Sequence, residues 1–115
     1  MRLIVLLCLV LYGCGEAKRP VIEGDPERGR LLLRQFGCGA CHGIPGVADA
    51  QGKVGPPLAG VARRVYLGGV LPNTPQNMAR WIDSPQSVDP TTAMPDMQVP
   101  PQHLRDIVAY LYSLR

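Results

Sequence analysis

Residues 38–42 read Cys-Gly-Ala-Cys-His. Two cysteines separated by two residues can each form a thioether to one vinyl group of a haem, and the histidine that follows then sits below the iron as an axial ligand. C-x-x-C-H is the attachment signature of c-type haem. A porphyrin held this way dictates the fold around it. The chain has 115 residues, room for one domain, and only 5% aromatics, with a single Phe and a single Trp. A domain of that size has difficulty burying enough apolar surface by itself. A haem supplies the missing core, a flat apolar body around which short helices pack. The 13 Gly and 12 Pro then belong to loops that wrap it. The expectation is an all-α domain of three main helices and long loops around one covalent haem c, largely unfolded without it.

Duller readings of the motif fit less well. A structural zinc site takes four N or S ligands, and the rest of the domain offers only His103 and the processed Cys14. A thioredoxin-like dithiol belongs near a βαβ pattern, and no strand–helix–strand alternation is present. A disulfide between Cys38 and Cys41 would close a very small loop and add little stability. Dithiol chemistry stays as the main alternative to haem. Of the four cysteines, Cys8 lies in the leader described below and Cys14 at a processing site, so no pair is left for a disulfide framework.

The second axial ligand should be a soft, neutral sulfur downstream. Met94 lies in Thr-Ala-Met-Pro-Asp, a Pro-rich loop between two helical segments, where Pro95 stiffens the backbone beside it. Met94 is favoured, with Met97 as the alternative. Met78 falls at helical spacing with Trp81 and Ile82 and reads as a core side chain filling an irregular gap. His103, the other conceivable ligand, reads as a surface or capping histidine. Iron held between His and Met is an electron-transfer centre.

The formal net charge of +3 is too small to argue for nucleic acid, and no basic stripe is evident. The adjacent Arg63 and Arg64 read as a solvated loop pair, or else as a docking contact for an acidic partner.

Upstream, Arg2 gives a short positive region and Leu3 to Tyr12 an apolar run of ten. That is a signal-peptide core; a membrane span needs about 20 residues. Leu11-Tyr12-Gly13-Cys14 resembles a bacterial lipobox, in which Cys14 is lipidated and becomes the new N-terminus. Tyr12 departs from the small residue usual there, and the alternative is a leader cleaved elsewhere or retained. The expected organisation is a lipoprotein-type signal peptide over 1–13, a lipidated Cys14 with a polar tether over 14–24, and the haem domain over 25–115.

Local chemistry places the helices. Asp25-Pro26-Glu27 starts the first, with Asp25 as cap and Pro26 at the first helical position. It runs to about Phe36 and stops at Gly37, delivering Cys38 into the haem-binding turn. Gly29 inside it is unfavourable by about 1 kcal/mol relative to Ala, which a close helix crossing would explain; Tyr110 could meet it there. Residues 43–74 read as loop, with a short helical turn near Leu58 to Arg64. Thr74 caps the second helix, Pro75 opens it, and it ends near Ser84 with Met78, Trp81 and Ile82 as its buried stripe. Residues 85–100 carry four prolines and form the ligand loop. The last helix covers Pro101 to Leu114, with Leu104, Ile107, Val108 and Leu111 recurring at i, i+3, i+4 and i+7.

Residues 25–115 resemble a class I cytochrome c. The marks are Gly29 and Phe36, Cys38-Gly-Ala-Cys-His42, Gly55-Pro-Pro-Leu58, Met94-Pro95 and Ala109-Tyr-Leu-Tyr112. The resemblance implies the small cytochrome c fold. It also implies that Pro56 presents its carbonyl to the second nitrogen of His42, that Leu58 packs on the haem, and that Trp81 lies near the Met94 side. Gly52-Lys-Val-Gly-Pro, Gly69-Val-Leu-Pro-Asn-Thr-Pro and Trp81-Ile-Asp-Ser-Pro-Gln are similar to the cytochrome c domain of bacterial haem–copper oxidase subunit II. The copper-binding half of those subunits has no counterpart here.

The expected function is electron carriage by an exported monohaem protein, in the bacterial periplasm or on the outer face of the cytoplasmic membrane. It would bind the membrane through its lipid and convert no small-molecule substrate. Its partners would be an upstream redox donor and a haem–copper oxidase acceptor. The rivals are a haem peroxidase or gas sensor with an open sixth site, and a structural haem subunit of a respiratory complex.

Overall fold

A computed structural model describes Gly15 and residues 18–115. The expected leader over 1–13, with Cys8, and the lipidation site Cys14 lie outside the described residues. Among the described residues no helix is long and apolar enough to cross a membrane.

Helix α1 (Pro26–Gln35) begins as its sequence dictates. The Asp25 carboxylate accepts from the backbone N–H of Glu27 at 2.9 Å and of Arg28 at 3.2 Å, a cap worth about 1 kcal/mol. Gly37, at φ 71°, turns the chain out of the helix in the left-handed conformation. Helix α2 (Pro75–Asp83) opens in the same way, with Thr74 Oγ1 accepting from Asn77 N–H at 3.1 Å. Helix α3 (Pro101–Ser113) buries the expected stripe of Leu104, Ile107, Val108 and Leu111. Asp106, Ala109, Tyr110 and Tyr112 are buried as well, so α3 is covered on nearly every side and is the axis of the domain.

The first and last helices cross backbone to backbone. A side chain at Gly29 would stand 2.5 Å from the carbonyl carbon of Asp106 and 3.0 Å from Ile107 N. The expected crossing is present, but its partner is the α3 backbone rather than Tyr110. The Tyr110 hydroxyl instead donates to the Pro45 carbonyl at 2.6 Å. Asp106, with no exposed surface, closes the crossing. Its carboxylate accepts from Arg28 Nε at 2.5 Å, from Arg28 Nη2 at 3.3 Å and from the Asp25 N–H at 2.8 Å. The Arg28 hydrogen bond holds the Asp106 carboxyl below the usual carboxylate range, against the opposing effect of burial.

Between α1 and α2 the chain is more ordered than the loop expected from sequence. A 3₁₀ turn covers Val61–Arg63. An antiparallel ribbon follows, β1 (Tyr66–Leu67) with β2 (Leu71–Pro72), in register Tyr66↔Pro72 and Leu67↔Leu71. Its turn uses Gly68 and Gly69, both at positive φ. Asn73 fastens this segment by donating to the carbonyls of Val61 and Arg64 at 2.9 and 2.8 Å, while its Oδ1 accepts from the Tyr112 hydroxyl of α3 at 2.8 Å. The result is the small cytochrome c fold, three helices with loops around one shared cavity.

Candidate haem site

A cavity of about 620 Å³ opens between the helices and the loops, within the range of cofactor pockets. Its floor draws on the apolar faces of all three helices, through Leu33, Met78, Ile107 and Leu111. Cys38, Cys41 and His42 enter it from the turn after α1. The 3₁₀ turn Cys38–Ala40 is closed by the N–H groups of Cys41 and His42, which both donate to the Cys38 carbonyl, at 3.3 and 3.0 Å. One tight turn therefore presents all three side chains to the same space. Both cysteines are free thiols. Burial pushes the Cys38 thiol above its ordinary value, opposite to the lowered pKa of a reactive dithiol.

His42 Nδ1 lies 2.7 Å from the Pro56 carbonyl. A carbonyl can only accept, so Nδ1 carries the proton and Nε2 keeps its lone pair for a metal. The ring is also held by contact. A Cβ on Gly55 would collide with the imidazole, standing 2.7 Å from Nδ1 and closer still to Cε1. Only a glycine lets the 54–57 loop pass so near the ring.

Every expected haem neighbour among the described residues lines this cavity: Cys38, Cys41 and His42, Pro56 and Leu58, Trp81, and both Met94 and Met97. Met78 lines it too and is buried, so it is both core and wall. Trp81 is half-buried rather than buried, its ring against the ribbon turn, where a Cβ on Gly68 would stand 2.5 Å away.

Two residues depart from their expected places. Arg64 is no solvated loop residue: its guanidinium donates to the Pro57 carbonyl and lines the cavity, while Arg63 stays exposed. His103 is neither a surface nor a capping residue. It packs edge-on against Phe36, ring centroids 6.1 Å apart, with Nδ1 buried and unpartnered. Sequence reasoning also passed over Val54, Gly68, Asp89 and Thr92 in the wall. The Gly68-Gly69 pair between apolar residues was a usable hairpin signal; the others carry none.

The donor set fits a haem. Two free thiols and a tautomer-fixed imidazole occur in one turn, thioethers line the same cavity, and the remaining wall is largely apolar. Among the described residues no three His, Cys, Asp or Glu side chains gather into a metal-holding cluster. What carries the fit to iron inside a porphyrin is the donor set itself.

Comparison with known proteins agrees with this geometry. The family model for cytochrome c matches residues 26–115. The chain is 32% identical over 93 residues to a cytochrome c-553-like protein of Synechocystis sp., covering 81% of this chain and 72% of that one. It is 30% identical over 103 residues to cytochrome c oxidase subunit 2 of Alkalihalophilus pseudofirmus, covering 87% of this chain and 28% of that one. The same subunit of Bacillus sp. (strain PS3) is 28% identical over 103 residues. The chain spans under a third of the length of either oxidase subunit.

Proposed function

Because this chain belongs to the cytochrome c family, we propose that it is an exported electron carrier, lipid-anchored through Cys14, that passes single electrons between respiratory redox proteins and toward a haem–copper oxidase. The cofactor is one covalently held haem c, and carriage of electrons is the activity of the family. When bound, the haem supplies an iron that exchanges one electron without leaving its site. The chain does the rest. Cys38 and Cys41 hold the macrocycle through thioethers. His42 would offer Nε2 to the iron, and the Pro56 carbonyl orients the ring and strengthens it as an electron donor. Met94, with Met97 as the alternative, offers a thioether as the second axial ligand. Leu58 and Trp81 pack about the haem, and the apolar walls exclude water. A neutral sulfur ligand and a dry pocket both favour the ferrous state, so the potential should be relatively high.

The observation that carries this reading is the coincidence of a fixed imidazole and methionine sulfurs in one cavity. It supports iron that would be held by both nitrogen and sulfur, which suits electron transfer rather than binding of peroxide or a gas. The likeness to oxidase subunits supports a respiratory partner, and the basic Arg2 followed by the apolar run Leu3 to Tyr12 supports export.

Three measurements test it. The ferric protein should show a sulfur-to-iron charge-transfer band that Met94→Ala abolishes. A high-spin spectrum in the unsubstituted protein would mean an open site and hence a peroxidase or sensor. Mass spectrometry of the mature N-terminus should find a lipidated Cys14, and the reduced protein should be oxidised by a haem–copper oxidase.

A further inference from the structure

We infer that Gln86 and Thr92 are positioning residues that hold Met94, rather than Met97, at the iron; the inference rests on the reading that a methionine is the second axial ligand. Both methionines are half-buried and both line the cavity, so reach does not separate them. Their backbones do. The Gln86 amide donates from Nε2 to the Met94 carbonyl at 2.6 Å, and the Met94 N–H donates to Thr92 Oγ1 at 3.3 Å.

Both anchors are themselves fixed. Gln86 belongs to the 3₁₀ turn Pro85–Ser87. Pro85 is fully buried, and Ser87 Oγ donates back to the Ser84 carbonyl at 2.7 Å. Thr92 N–H donates to the Asp89 carbonyl at 3.1 Å, closing a turn. Within that turn Asp89 Oδ1 accepts from Thr91 N and Oγ1, at 2.9 and 2.7 Å. The loop is thus stapled across eight residues, and the peptide groups on both sides of the Met94 Cα are clamped. Among the described residues no hydrogen bond reaches the backbone N–H or carbonyl of Met97. A ligand whose backbone is already immobilised gives up less conformational freedom when its sulfur meets the metal. Met94 therefore enters at lower entropic cost than Met97.

The test uses the ferric holoprotein and added imidazole, which competes with a thioether for iron. Gln86→Ala and Gln86→Glu should each raise the apparent imidazole affinity roughly three- to tenfold, the worth of one hydrogen bond. Gln86→Glu should match or exceed Gln86→Ala, because it sets an acceptor against the Met94 carbonyl. Thr92→Val should act in the same direction by a smaller factor, in line with its longer bond. Imidazole affinity unchanged in both Gln86 variants overturns the inference, and so does a lowered unfolding midpoint without a change in that affinity. The underlying ligand reading is judged separately: Met97→Ala should keep the charge-transfer band and Met94→Ala lose it. An unsubstituted protein without that band overturns the ligand reading and this inference together.

Discussion

Replacing Gly29 by alanine sets two effects of opposite sign against each other. Alanine favours a helix over glycine by about 1 kcal/mol, so propensity alone makes Gly29→Ala stabilising. At this position the added methyl would lie 2.5 Å from the Asp106 carbonyl carbon and 3.0 Å from Ile107 N, against 3.4 Å or more for ordinary contact. These are backbone atoms of α3 and cannot rotate away, so the helices must part by about 1 Å in a tightly packed interior. Overpacking of this kind costs about 1–3 kcal/mol. Separation also stretches the three hydrogen bonds that Asp106 accepts across the crossing. Packing wins, with a net loss of about 2 kcal/mol. Denaturant unfolding of the holoprotein should show a lower midpoint at unchanged slope. Thermal unfolding should fall by about 10 °C. Gln35→Ala, at the exposed end of the same helix, is the control and should stay within about 0.5 kcal/mol of the parent. If Gly29→Ala is as stable as the parent or more so, α1 and α3 do not meet backbone to backbone.

Asp106→Asn should be less stable than the parent at neutral pH. The Asp106 carboxyl is held below its unfolded value of about 4, so its contribution is present above that pH and lost as pH falls through the folded value. Unfolding followed against pH should therefore show a shallower acid limb in the variant. Gly55→Ala should push the His42 ring off the Pro56 carbonyl, seen as a raised reduction potential, because an imidazole that loses this hydrogen bond gives less electron density to ferric iron. His103→Leu removes a buried nitrogen without a partner, so thermal unfolding should show a change of no more than about 1 kcal/mol, toward stability.

What was legible in the sequence is what local chemistry decides. Asp25, Thr74 and Gly37 mark helix ends because the groups they satisfy lie within three residues of them. The haem-binding turn is legible for the same reason, since Cys38, Cys41 and His42 are brought together by their spacing alone. The α3 stripe was visible as a period, but a period cannot reveal a helix covered on nearly every side. Nothing local marks Asp106 as buried, because its counter-charge, Arg28, lies 78 residues away. His103 was misread because its partner, the Phe36 ring, comes from a distant segment, and Arg64 because its partner is a backbone carbonyl, that of Pro57, which carries no side-chain signal. Met94 and Met97 offer the same thioether from one loop, and it is the hydrogen bonds to the Met94 backbone that tell them apart.

The meeting of α1 with α3 also sets an order of events in the life of the chain. Contacts between residues 25–29 and 105–107 include hydrogen bonds that span 78 to 81 residues of the chain, and such distant pairings form only after both partners have been synthesised. Until α3 leaves the ribosome, α1 has no surface to settle on, and the cysteine-bearing turn that follows it stays open. A polypeptide delayed in this way keeps both thiols within reach of solvent for as long as its last helix is unmade.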